Sequence, residues 1–138
     1  MKPESSVLLV SAGGWTHTAL RKVLGDAGIQ VRSARNCAEA RKIVKDLAIP
    51  AVLFCDTDLP DGTWMDVLAL ATQVQRRLPV VVVSRVVDIN LYINALESGA
   101  SDFIVPPFYQ QDISHVLRCA AQDQTGAPKS FIPNVAAA

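Results

Sequence analysis

The chain has no surplus of charge of either sign: thirteen Lys and Arg balance thirteen Asp and Glu across 138 residues, and no basic stripe stands out. A sequence-independent grip on DNA or RNA needs clustered cations, so nucleic-acid binding by this chain alone is not expected. Long apolar runs are missing as well. Nothing approaches the ~20 residues of a membrane span, and Met1-Lys-Pro-Glu-Ser-Ser6 leads straight into a short strand pattern. A soluble cytoplasmic protein without membrane contact is the expectation. Cysteine is scarce: Cys37, Cys55 and Cys119 are odd in number and lack metal-ligand spacing, so buried small hydrophobes in a reducing compartment are expected. His17 and His115 have no Cys or acidic partner at metal spacing and are expected on the surface.

What the chain does have is apolar content. Half of it is hydrophobic and 19% charged, enough for one globular core in a chain of this length. Val7 to Val10 is an apolar run, followed by Ser11-Ala-Gly-Gly14 and then Leu20, Val23, Leu24 and Ala27 at helical spacing, with Gly28 as the stop. Ile29 to Ser33 reads as a second strand. Asn36 caps a second helix whose apolar positions, Ala40, Ile43, Val44 and Leu47, keep the 3.6-residue period up to Pro50. A third strand is expected over Ala51 to Asp56 and a third helix over Trp64 to Arg77. Val80 to Ser84 is β-branched throughout its apolar part, as in a strand covered on both faces. Asp88 caps a fourth helix ended by Gly99, Asp102 to Val105 gives a fifth strand, and a last helix spans about Gln110 to Gln122. Five strands alternating with five helices predict an α/β fold: a doubly wound five-stranded parallel sheet of flavodoxin-like order. Residues 1–122 are expected to form the domain. Residues 123–138 lose periodicity and are expected to be a mobile tail or a truncated linker.

The stretch Ala51-Val-Leu-Phe-Cys-Asp-Thr-Asp-Leu-Pro-Asp-Gly62 organises the rest. Its apolar strand ends at Asp56, and in an open parallel sheet the crevice at the carboxyl ends of the strands is where ligands sit. Together with the strand ending in Ser84 and the run Gly99-Ala-Ser-Asp-Phe-Ile-Val-Pro-Pro-Phe108, this segment resembles the receiver domain of bacterial two-component response regulators, over about residues 6 to 122. The resemblance implies a signalling module rather than an enzyme, with Asp56 accepting a phosphoryl group from a histidine kinase. It implies that Ser84 contacts that group and couples it to an aromatic switch, Phe103. It also implies a cis peptide bond at Pro106-Pro107. The fourth helix, fifth strand and fifth helix would form the contact face for a homodimer or another signalling protein, with Tyr92, Phe108 and Tyr109 as aromatic anchors.

Two positions depart from that pattern. The family closes its first strand with adjacent acids that hold Mg²⁺, whereas this strand ends Val10-Ser-Ala-Gly-Gly14; the family's lysine before the proline is here Pro106. Phosphoryl transfer depends on positioning and on cations, and losing one preorganised stabilising group typically costs about 10²–10³ in rate. Asp56 with Asp58 is the remaining candidate for a metal, but Asp58 and Asp61 are better read as turn chemistry, so no cofactor is expected. The sequence therefore points to an atypical receiver with weak or no Mg²⁺-dependent phosphorylation. The alternatives are a conventional phospho-accepting receiver and, remotely, a haloacid-dehalogenase-like phosphatase using Asp56 and Asp58. Gly13-Gly14 is read as a tight turn rather than a phosphate cradle, Trp15 as a cover for the pocket, and Trp64 as packing at the start of the third helix.

Overall fold

The computed structural model describes residues 6–46, 50–73 and 78–123. Its central sheet contains β1 (Ser6–Val10), β2 (Gln30–Ala34), β3 (Val52–Asp56), β4 (Val80–Val83) and β5 (Asp102–Ile104), all parallel, in the order β2-β1-β3-β4-β5. The connecting helices are α1 (Trp15–Asp26), α2 (Cys37–Asp46), α3 (Trp64–Thr72), α4 (Ile89–Glu97) and α5 (Gln110–Asp123). This is the expected doubly wound sandwich. Because side chains alternate across a strand, each central strand feeds two half-cores. Leu8, Val10, Leu53, Cys55, Val80 and Val82 pack towards α2 and α3, while Val7, Leu9, Phe54, Val81 and Val83 pack with Leu20, Leu24, Ile113 and Val116 of α1 and α5. All four valines of β4 are buried, which is why that strand carries no polar alternation.

Helix ends follow local chemistry. α1 closes in a Schellman arrangement: Gly28 takes φ 79°, its N–H reaches the Gly25 carbonyl at 3.0 Å, and the Ile29 N–H reaches the Leu24 carbonyl at 3.0 Å. Spending the Ile29 N–H this way moves the start of β2 to Gln30, one residue later than expected. α4 ends identically at Gly99, φ 112°, with Ala100 N–H on the Ala95 carbonyl. Asp88 caps α4 through the Leu91 N–H at 3.0 Å, and Thr63 with Asp66 forms a capping box on α3.

The Asp58-to-Thr63 turn carries a short antiparallel ladder, Asp58–Leu59 against Gly62–Thr63, that the sequence pattern did not announce. α3 is described to Thr72 with Gln73 as its C-cap, so its expected continuation through Val74 to Arg77 lies outside the described residues, as do Leu47 of the second helix pattern and the expected tail from Gln124 on. Pro106-Pro107 is cis. Cys37 and Cys55 are buried, but Cys119 is exposed, on the solvent side of α5 beside His115, so the expectation of a third buried cysteine is corrected. Among the described residues, no helix is long and apolar enough to cross a membrane.

Candidate functional site

Strand register builds the site. Val10 aligns with Cys55 and Asp56 aligns with Val83, so the residues that follow β1 and β4, Ser11 and Ser84, flank the carboxylate at the end of β3. The place is the carboxyl edge of the sheet between β1 and β3, where the strand order reverses because β1 leads out to β2 on one side and β3 to β4 on the other, the usual ligand crevice of this topology. Asp56 is half-buried, and Ser11 Oγ donates to its Oδ2 at 2.6 Å while accepting from the Gly13 N–H at 3.1 Å. A neutral hydroxyl therefore sits against the carboxylate in the position where the resemblance calls for acids.

Burial raises the Asp56 carboxyl above its ordinary value; the Ser11 hydrogen bond, the positive charge of Arg85 and then His17 oppose that rise, and Asp58 adds to it. Arg85, the residue after Ser84, is solvent-exposed and reaches across to the β1–α1 loop, where its Nη2 lies 3.6 Å from the point a Cβ on Gly14 would occupy. Gly14 has φ 96°, a conformation in which glycine is unstrained. Among the described residues, the ion pairs within 4 Å are Lys22–Asp26 and Arg35–Glu39, so Arg85 stands off from Asp56 rather than clasping it.

These residues do not fit a resident Mg²⁺. The Ser11 hydroxyl points its proton, not a lone pair, at Oδ2. Asp58 is exposed and its Oδ2 accepts from Thr57 Oγ1 at 3.3 Å. Arg85 adds positive charge. No group of three His, Cys, Asp or Glu able to hold a metal occurs among the described residues.

The other sequence candidates divide. Ser84 is buried beside the site, but its Oγ donates to the Val86 carbonyl at 2.7 Å and accepts from the Val86 N–H at 3.3 Å, so the hydroxyl is engaged in its own loop. Phe103 is buried and meets Tyr92 edge to face, with ring centroids 5.7 Å apart and planes at 79°. Tyr92 is therefore a buried ring, not the surface anchor expected of it. Phe108 is half-buried and Tyr109 exposed. Tyr92, Phe103 and Phe108, with Val87, Ile89 and Val116, line a cavity of about 650 Å³ between α4, β5 and α5. Val86, Val87 and Ile89 are exposed beside it. Trp15, the first residue of α1 after the Gly13-Gly14 turn, is 59% exposed, whereas Trp64 is buried in the core. Asp61 serves a purpose that local turn chemistry does not predict: its carboxylate accepts from the Cys37 and Ala38 N–H groups at 2.8 and 3.0 Å, capping α2 from a distant loop.

Sequence reasoning missed Arg85 and the Ser11 contact. The signal for the Ser11 contact was the pairing order: once β1 flanks β3, the residue just after β1 borders Asp56; Arg85 had none, since its place depends on how far its side chain reaches.

A family model, the response regulator receiver domain, matches residues 7–118. The response regulator protein TmoT of Ectopseudomonas mendocina is 25% identical over 130 residues, covering 91% of this chain and 59% of TmoT. The chemotaxis protein CheY of Thermotoga maritima is 27% identical over 112 residues, covering 80% of this chain and 92% of CheY. Among solved structures, the beryllofluoride-activated NtrC4 receiver domain dimer superposes with a TM-score of 0.75 at 22% identity, covering 87% of this chain and 98% of that one. The chain thus spans about three fifths of TmoT and nearly all of CheY.

Proposed function

This chain belongs to the response regulator receiver domain family of two-component signalling, and on that premise we propose that it is an atypical receiver acting through protein contacts, with weak or no Mg²⁺-dependent phosphorylation of Asp56. The observation that carries this reading is the 2.6 Å hydrogen bond from Ser11 to Asp56. A carboxylate whose neighbour is a neutral donor has lost the anionic shell that would attract a divalent ion, and phosphoryl transfer draws most of its acceleration from such cations.

The working surface is the face formed by α4, β5 and α5. Its cavity is walled mostly by apolar side chains, with Asp88, Asp112 and His115 among them, and Tyr109, Val87 and Ile89 stand exposed around it, the composition of an anchor site for a histidine kinase, another signalling protein or a second copy of the chain. Residues 1–122 would be the unit that makes these contacts. Retained Asp56 and Ser84 favour the second reading, a conventional phospho-accepting receiver.

Titrating Mg²⁺ at fixed acetyl phosphate, with intact mass as the readout and Asp56→Asn as control, separates the two. The expected result is an adduct fraction that does not rise with Mg²⁺. A fraction that climbs with Mg²⁺ and vanishes in Asp56→Asn would establish the conventional receiver instead.

A further inference from the structure

Removing the metal anchors leaves a site with no divalent charge, yet the structure does not leave it without positive charge. Arg85 extends from the end of β4 over Gly14, so its guanidinium lies against the β1–α1 loop whose first residue, Ser11, holds Asp56. It is the strongest charged opponent of the burial effect on Asp56, ahead of His17. It makes no ion pair within 4 Å among the described residues, so a gap separates guanidinium from carboxylate. Ser11 holds Oδ2 and leaves Oδ1 without a described hydrogen bond. A planar guanidinium matches two phosphoryl oxygens with parallel N–H donors and keeps its charge at any physiological pH.

From this arrangement we infer that Arg85 replaces the missing divalent cation, making Asp56 a metal-independent acceptor of a phosphoryl group from an acyl phosphate. The inference rests on the receiver reading of Asp56 given above. Oδ1 attacks phosphorus, the bond from phosphorus to the acyl oxygen breaks, and the acyl group leaves as a carboxylate carrying the electron pair. No proton moves. The dianionic phosphoryl group ends between Asp56 and Arg85, where the guanidinium offsets its charge.

The test uses the whole chain in excess EDTA with acetyl phosphate, read by intact mass, and with beryllium fluoride, read by ¹⁹F NMR. Wild type, Arg85→Gln, Arg85→Lys and Asp56→Asn are compared, with circular dichroism to confirm that each is folded. The expected result is an adduct in EDTA that Asp56→Asn abolishes, that Arg85→Gln lowers by about 10²-fold as for loss of one preorganised donor, and that Arg85→Lys partly restores. An adduct in EDTA that is the same in Arg85→Gln overturns the role of Arg85. No adduct under any condition also overturns the inference, while leaving the contact-based function standing. An adduct that requires Mg²⁺ overturns both.

Discussion

Two aspartates five residues apart respond to pH with opposite sign. Burial raises the Asp56 carboxyl, so the folded state holds that proton more tightly than the unfolded chain. Stability from this group is complete below the ordinary value of 3.8 and is lost as pH rises through the raised one. Asp56→Asn keeps an acceptor for Ser11 and removes the charge, so its thermal midpoint is expected to exceed wild type at pH 7, with the gap closing in acid. Asp61 runs the other way. The Cys37 N–H, and less strongly the Ala38 N–H, hold its carboxyl below the ordinary value, so its contribution is present above that value and fades as pH falls. Asp61→Ala is expected to lower the midpoint at pH 7 and to be nearly silent at acid pH, as a pH series of melts would show. Burial, helped by the same carboxylate, pushes the Cys37 thiol up to about 11, so alkylation of Cys37 should lag that of exposed Cys119. Asp56 was legible because it ends an apolar run. Asp61 as a cap for α2, and Arg85 over Gly14, were not, since both depend on how far a side chain reaches across the folded edge.

At the scale of elements, periodicity placed five strands and five helices correctly because each central strand is covered on both faces and each helix shows one apolar stripe. It erred by a residue at β2, where the end of α1 takes the first N–H. It missed the Asp58–Thr63 ladder, since two-residue strands carry no period. That ladder packs tightly: a Cβ on Gly62 would overlap the Asp66 carboxylate and come within 3.1 Å of Cys37 Sγ. Gly62→Ala is expected to cost about 1–3 kcal/mol by overpacking, detected as a lower urea midpoint. Gly99→Ala puts a side chain at φ 112° in the Schellman end of α4; the expected loss is roughly 1 kcal/mol.

For the molecule as a whole, the sheet is the divider between two half-cores, and Phe54 is the largest fully buried side chain on the α1 and α5 side. Truncation there cannot be repaired by one helix shifting, because the buried residues of that half-core come from three strands and two helices. Phe54→Ala is expected to cost about 3–5 kcal/mol, measured by urea unfolding, and to weaken every element together rather than one end of the sheet. Family membership, fold and the position of Asp56 were all contained in local patterns along the chain. The electrostatics of the crevice were not, because they arise where three strand ends meet.

The placement of the two tryptophans gives the protein a pair of independent optical reporters. Trp15, just past the β1–α1 loop and open to solvent, should emit to the red and be quenched by acrylamide, while Trp64, buried at the start of α3, should emit to the blue and resist it. Ligation at Asp56 would then register in the quenchable fraction alone, and loss of the fold in the protected one.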